Sequence, residues 1–264
     1  MEKVDSKEVG LEIGLLLTRF FFNSEDLHFG YWPDGTPTDM STISKAQTNH
    51  SNLIFSHIPD GVKNILDVGS GSGELAKKLI DKGYSVDCVS PSSFLSDTIQ
   101  SKLPPQSTLY RTTLEDLETD HRYDLIIFSE SFQYVNIQSG LSKCAHLLKL
   151  RGHLLIFDFF SIETDSKSPL RGGHKISKFL EAINQFPFEN IIDLDVTKET
   201  APTIGILDKL LTEFLIPSKD LSAKYLSSNF PIVTKFIKWK LKKRIAKINR
   251  VYMSGQITAE SFIK

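Results

Sequence analysis

The segment Ile65-Leu66-Asp67-Val68-Gly69-Ser70-Gly71-Ser72-Gly73-Glu74-Leu75 constrains the fold of this chain more than any other. An apolar run that ends in three alternating glycines and passes directly into a helical stretch reads as a buried strand, a tight turn and a helix. Glycine tolerates positive φ and lets a ligand come close to the main chain. The start of the following helix offers free N–H groups to a carboxylate or phosphate. A nucleotide-like ligand fits at the carboxyl end of such a strand. The spacing is G-x-G-x-G with Asp67 two residues before the first glycine. The dinucleotide fingerprint requires G-x-G-x-x-G and the Walker loop requires Gly-Lys-Ser/Thr, so both are excluded.

Three more apolar runs, Ser85 to Val89, Tyr123 to Phe128 and His153 to Phe159, alternate with helical stretches. Near-continuous apolar runs of this length suit strands buried on both faces of a parallel sheet, and the alternation implies a doubly wound, Rossmann-like α/β fold. Residues 1–58 read as an N-terminal helical cover, with apolar positions at Leu11, Leu15, Leu16, Phe20 and Phe22, a turn over Gly30 to Gly35, and a second helix over Ile43 to Ile58. Residues 59–162 read as the α/β core. Residues 163–264 read as a C-terminal helical insertion completing the same domain. In it a strand is expected over Phe188 to Val196, a helix over Ile204 to Leu215 and a long helix over Thr234 to Tyr252, with a further edge strand expected beyond Lys264.

With 264 residues, 40% of them apolar, and 31 Lys+Arg against 32 Asp+Glu, the chain can bury a sizeable core without staples and falls outside the disordered class. Its two cysteines, Cys88 and Cys144, exclude a disulfide scaffold and argue against a zinc-thiolate site. They favour a cytoplasmic setting. No signal-peptide pattern opens the chain, and the apolar stretch from Val9 to Phe22 is too short, and too interrupted by Glu12 and Arg19, to cross a bilayer. The seven histidines form no H-x-x-x-H pattern, so no catalytic metal is expected. A net charge of −1 argues against a globally basic nucleic-acid binder. Yet Lys235, Lys238, Lys240, Lys242, Lys243, Arg244, Lys247 and Arg250 occur without one acidic residue between them, leaving the rest of the chain at −9. Such a stretch suits an anionic membrane surface, an acidic carrier protein or an anionic substrate. RNA is less favoured, since no RNA-binding motif accompanies it.

The run Leu66 to Gly73 resembles the first motif of the class I S-adenosylmethionine-dependent methyltransferases. Later segments match in order: Thr113-Leu114-Glu115-Asp116-Leu117, Tyr123 to Ser131, and Leu147 to Ile156. The resemblance covers roughly residues 25–162. Upstream, Leu27-His28-Phe29-Gly30-Tyr31-Trp32 followed by Ala46-Gln47 is similar to the cover of small-molecule and lipid-modifying members of the methyltransferase type 11/12 kind. The resemblance implies S-adenosylmethionine as cofactor, with S-adenosylhomocysteine as product. It places Asp67, Gly69, Ser70, Gly71 and Gly73 around the methionine part, Leu114 and Glu115 by the adenine, Ser129 and Glu130 on the floor, and Tyr31 at the cover. One departure stands out. The family usually carries Asp or Glu at the end of the second strand to hold the ribose hydroxyls, and here the aligned residue is Ser90. Asp87 lies three residues earlier, on the opposite face by strand alternation, and reads as structural.

The implied activity is methylation of a small-molecule acceptor, lipid-like or anionic. Methyl transfer from a sulfonium is an in-line displacement, in which alignment and desolvation supply much of the acceleration. An O- or C-acceptor needs a base in addition. Glu130, Tyr134 and His174 are the candidates, with Gln133 able only to orient an acceptor. The alternatives are an RNA- or protein-directed methyltransferase and a non-catalytic protein that binds S-adenosylmethionine.

Overall fold

The structure, a computed structural model, describes residues 6–162 and 173–231. The chain divides into two compact units, residues 1–203 and 204–264. The boundaries expected near residues 58 and 162 both fall within the first unit.

The first unit is built on a parallel sheet of five strands: β1 (Asn64–Val68), β2 (Ser85–Val89), β3 (Leu109–Tyr110), β4 (Tyr123–Ser129) and β5 (Leu148–Phe157), in the order β3-β2-β1-β4-β5. Short strands β6 (Phe160–Ser161) and β7 (His174–Lys175) form a separate parallel pair. The helices of this unit are α1 (Ser6–Phe22), α2 (Ile43–Ser56), α3 (Glu74–Asp81), α4 (Ser93–Gln100), α5 (Ile137–Leu147), α6 (Ile176–Ile183) and the single turn α7 (Thr197–Thr200).

Because side chains alternate along a strand, the doubly apolar runs supply two cores at once. Leu66, Val68, Ile126 and Phe128 pack with Leu141, Cys144 and Leu147 of α5 on one face. Ile65, Leu125 and Ile127 pack with Leu75 and Leu79 of α3 and Ile99 of α4 on the other. Leu15 of α1 and Ile54 of α2, 1% and 2% exposed, belong to this second core. Burying each such aliphatic chain contributes roughly 1.5–3 kcal/mol. These two therefore fix the N-terminal helices to the sheet more firmly than a surface ion pair such as Lys198 with Asp34.

Strand β2 has the expected bounds, and β1 leads directly into the glycine turn and α3 as expected. β3, only two residues long, carries too little pattern to be read. The last long strand starts five residues before His153, because Arg151 adopts a φ of 63° and the register against β4 shifts between Tyr123 and Leu125. Arg151-Gly152 thus makes a bulge inside β5, and the strand extends upstream of it. The strand expected over Phe188 to Val196 is absent: Ile191, Ile192 and Leu194 are exposed, and Asp195 accepts from Thr197 N at 3.0 Å, a side-chain turn that starts α7.

In the second unit, the expected helix over Ile204 to Leu215 divides into α8 (Pro202–Lys209), which begins in the first unit, and a π-helical segment Leu210–Leu215. Helix α9 (Ile216–Asn229) continues it. Pro217 in the first turn of α9 has no N–H to offer the carbonyl four residues earlier, and the widened turn before it accommodates that loss. The basic stretch 235–250 and the helix expected over Thr234 to Tyr252 lie outside the described residues. Among the described residues no helix is long and apolar enough to cross a membrane.

Candidate active site

At the carboxyl end of β1 the chain turns through Gly69, Gly71 and Gly73, with φ of 73°, 55° and 81°. One bond to β2 and two within the turn hold it: Gly69 N donates to Val89 O (2.8 Å), Ser70 Oγ to Asp67 O (2.9 Å) and Gly73 N to Ser70 O (2.8 Å). A side chain at Gly69 would run into Ser131, whose Oγ donates to Val68 O at 2.5 Å. Beneath the turn lies Asp67, 1% exposed, with its Oδ2 lacking a hydrogen-bond donor. Burial pushes its carboxyl up to about 7, against the pull of Ser70 and His28.

The segment following α1 is tied down over this turn. Ser72 Oγ donates to Glu25 O at 2.5 Å, and Lys102 bridges Glu25 Oε2 (2.5 Å), Glu74 Oε1 (2.6 Å) and Ser72 O (2.8 Å). Lys78 pairs with Asp26 at 2.7 Å. From α2, Gln47 Nε2 donates to both Asp26 O and His28 O at 2.9 Å. Gly30 is glycine for want of space: a Cβ there would lie 2.6 Å from Ala46 Cβ and 2.7 Å from the Trp32 ring.

Behind the cover the rings of His28, His50 and Phe157 stack in series at 4.0 Å spacings. Burial, with the neighbouring His28 and Lys78 charges, holds His50 well below the usual imidazole range, so it is neutral at pH 7. Its Nε2 lies 3.1 Å from Ser129 Oγ. His28 shifts the other way. Burial opposes its charge, but the Asp26 carboxylate 3.2 Å from its Nε2 and the charge of Glu130 outweigh that cost. Asp26, although burial favours its neutral form, is held down to about 2 by His28 and Lys78.

Glu130 follows β4 with a φ of 57°, its N–H donating to Phe157 O at 2.7 Å. One carboxylate oxygen accepts from Phe29 N at 2.9 Å and lies 3.8 Å from His50 Nδ1. Burial pushes this carboxyl up to about 7; the His28 charge and the Phe29 bond pull it down, and Asp158 adds to the rise. A buried carboxyl balanced near neutrality can take or give a proton at working pH.

These elements enclose a cavity of about 1190 Å³, all within the first unit. Of the residues expected from sequence, Asp67, Gly69, Ser70, Gly71, Ser90, Leu114, Glu115, Ser129, Glu130 and Tyr134 line it. Tyr134 does so as an 80% exposed side chain. Gly73, Tyr31 and His174 do not line it. Gly73 caps α3. Tyr31 is held by its main chain, its N–H donating to Ala46 O at 2.9 Å and its carbonyl accepting from Asn49 Nδ2 at 3.3 Å. His174 Nε2 faces two main-chain carbonyls, Phe132 O at 3.1 Å and Val135 O at 2.9 Å. That placement fits a brace for the turn after β4 better than a base. Asp87 lies away from the cavity, accepting from Thr108 N (2.7 Å) and Tyr123 Oη (2.8 Å). Sequence reasoning missed Glu8, Asp26 and His50. Each reaches its partners from an N-terminal element distant in sequence, and no local pattern marks it. Among the described residues no group of three His, Cys, Asp or Glu could hold a metal ion.

Residues 65–152 match a family model described as a methyltransferase domain. The chain is 34% identical over 141 residues to a protein of Geobacillus sp. (strain WCH70) named as a methyltransferase, covering 50% of this chain and 56% of that one. It is 28% identical over 144 residues to the ubiquinone biosynthesis O-methyltransferase of Rickettsia akari, covering 50% and 53%. An uncharacterized methyltransferase of Mycobacterium tuberculosis is 26% identical over 97 residues, 37% of this chain and 40% of its own length. The matches thus span between two fifths and a little over half of these relatives. Among solved structures, the geranyl diphosphate C-methyltransferase of Streptomyces coelicolor A3(2) superposes with a TM-score of 0.63 at 14% identity, over 79% of this chain and 89% of that one. The cyclase SpnF gives 0.63 at 16% identity, over 89% and 88%. At such identities the likeness is one of fold, and a cyclase beside a methyltransferase shows that this fold alone does not fix a reaction. The matched segment, the glycine turn on β1 and the sheet order agree that residues 65–152 form a methyltransferase-type α/β domain.

Proposed function

We propose that the protein binds S-adenosylmethionine in the cavity above β1 and methylates a small-molecule acceptor there. The observation that carries this reading is the buried Asp67 carboxylate, whose Oδ2 has no hydrogen-bond donor and which lines a cavity large enough for a nucleoside and a second molecule. An amino-acid ammonium group is the partner that such an oxygen lacks. The bound cofactor would supply an electrophilic methyl group on a sulfonium. The chain would supply the rest: the glycine turn admits the ligand to the main chain, the tied-down segment from Glu25 to Phe29 limits the access of water, and Phe29, Val135, Phe159 and Ile162 give the acceptor an apolar wall. For an oxygen or carbon acceptor, Glu130 would take the proton.

Calorimetric titration with S-adenosylmethionine and S-adenosylhomocysteine tests the reading, and cofactor consumption in metabolite extracts then searches for the acceptor. A folded protein that binds neither ligand ends the proposal. The protonation of Asp67 adds a signature. A carboxyl titrating at about 7 is mostly neutral at pH 6, so pairing it with an ammonium first costs a proton. S-adenosylhomocysteine affinity is expected to rise about tenfold from pH 6 to a plateau above pH 8, with proton release to the buffer. Asp67→Asn should abolish that slope and Glu130→Gln should keep it.

The partner reading for residues 235–250 rests on their sequence alone. Lys and Arg interleave with Ile237, Trp239, Leu241, Ile245 and Ile248, a composition suited to an anionic lipid surface. Reversing the charge of Lys242, Lys243 and Arg244 is expected to reduce partition to phosphatidylserine vesicles at least tenfold in sedimentation. Equal partition of variant and parent would remove the lipid surface from the reading.

A further inference from the structure

The carboxyl end of β2 carries no acidic side chain. Ser90, Pro91 and Ser92 form the cavity wall there, and the Ser90 hydroxyl accepts from Ser92 N at 3.4 Å. A carboxylate nevertheless reaches this corner from the first turns of α1. Glu8 lines the same cavity, and its Oε2 accepts from Phe94 N (2.9 Å), Ser92 Oγ (3.0 Å) and Ser93 Oγ (3.4 Å). Those three donors, all from the segment following β2, fix the carboxylate against the strand end. Its Oε1 has no hydrogen-bond partner among the described residues.

Of the other cavity carboxylates, Asp67 lies beneath the glycine turn and the rest have their partners outside the segment that follows β2. Asp26 pairs with Lys78, Glu74 with Lys102, Glu115 accepts from Asn136 N, and Glu130 accepts from Phe29 N. Sheet order then decides what lies over β2. The glycine turn follows β1, Leu114 and Glu115 follow β3, and β2 stands between those strands. A nucleoside that runs from the glycine turn toward Leu114 passes its sugar over the end of β2. A carboxylate can accept two vicinal hydroxyls at once through charge-assisted bonds, whereas the Ser90 hydroxyl brings no charge.

On the S-adenosylmethionine reading above, we infer that Glu8 of α1 is the carboxylate that receives the ribose hydroxyls, supplying from the N-terminal helix the group that β2 lacks. Helix α1 then belongs to the binding site and is more than a cover, and the serine at position 90 is compatible with a nucleoside ligand.

Glu8 also caps the start of α4, so the test must separate recognition from support. Calorimetry on parent, Glu8→Gln and Glu8→Ala would use S-adenosylhomocysteine and its 2′,3′-dideoxy analogue, with thermal melts confirming folding. Glu8→Ala is expected to weaken S-adenosylhomocysteine about 10- to 100-fold and the dideoxy analogue less than about threefold. Adding Ser90→Asp to Glu8→Ala should restore a part of the lost affinity for S-adenosylhomocysteine alone. Equal weakening of both ligands would make Glu8 a support for α4 and overturn the assignment, as would unchanged S-adenosylhomocysteine affinity in Glu8→Ala; both leave the cofactor reading standing. Failure of the folded parent to bind S-adenosylhomocysteine would remove both.

Discussion

Glu130→Gln is expected to lower kcat about 10²- to 10⁴-fold with an acceptor that must lose a proton, while S-adenosylhomocysteine affinity stays within about threefold. The amide is isosteric and keeps an oxygen to accept from Phe29 N, so the loop after β4 has no reason to move. What the variant loses is the proton acceptor. Burial raises the Glu130 carboxyl to about 7, so its basic form grows as pH rises through that value. The parent rate should therefore climb about tenfold per pH unit below 7 and level off above it, and the profile of the Glu130→Gln variant should lack that limb. Single-turnover rates from pH 5.5 to 9 with the acceptor found by cofactor consumption would decide it. An unchanged profile would assign Glu130 to the shape of the floor and leave the displacement to alignment and desolvation.

Gly69→Ala should destroy ligand binding and cost about 2–5 kcal/mol of stability, the sum of a left-handed backbone forced on a residue with a Cβ and overpacking against Ser131. Gly83→Ala is its control. Gly83 has a φ of 94°, yet its Cβ would meet nothing within 4 Å, so only the backbone cost of about 1–2 kcal/mol applies. For a chain of this size the first variant should melt roughly 5–15 °C below the parent, with S-adenosylhomocysteine affinity reduced more than about 100-fold, and the second only a few degrees below it with affinity intact. Equal melting and equal affinity for the two would show that the turn relaxes around a side chain, and that its three glycines are not required for their conformation.

The sheet was legible where one residue type carries two messages. In Ile65 to Val68 and Leu125 to Phe128, apolar chains at both parities mark a strand covered on both faces, and the helices follow from what must cover them. Legibility failed where a tertiary partner decides the outcome. Leu109-Tyr110 becomes a strand because β2 offers it a ladder, whereas Ile191 to Val196 has strand-like residues and no ladder among the described residues. Arg151 carries no local signal for the bulge that it makes inside β5. At the site, the glycine turn and the residues after β4 could be read from local pattern, but Glu8, His50 and Lys102 could not. Their roles come from contacts across distant parts of the sequence: 86 residues from Glu8 to Phe94, 79 from His50 to Ser129 and 30 from Lys102 to Ser72.

The ammonium of Lys102 touches the carbonyl of Ser72, the carboxylate that opens α3 and the carboxylate of Glu25, while Lys78 holds Asp26. Residues 25 and 26 cannot lift from the glycine turn without separating both pairs of charges. Displacing those residues therefore requires charge separation in a partly buried setting, and the pairing of Glu25 with Lys102 and Arg19 outweighs burial and holds its carboxyl below the usual range. A segment held this way is latched to the turn it covers, and the latch includes Asp26 and Glu74 of the cavity wall itself.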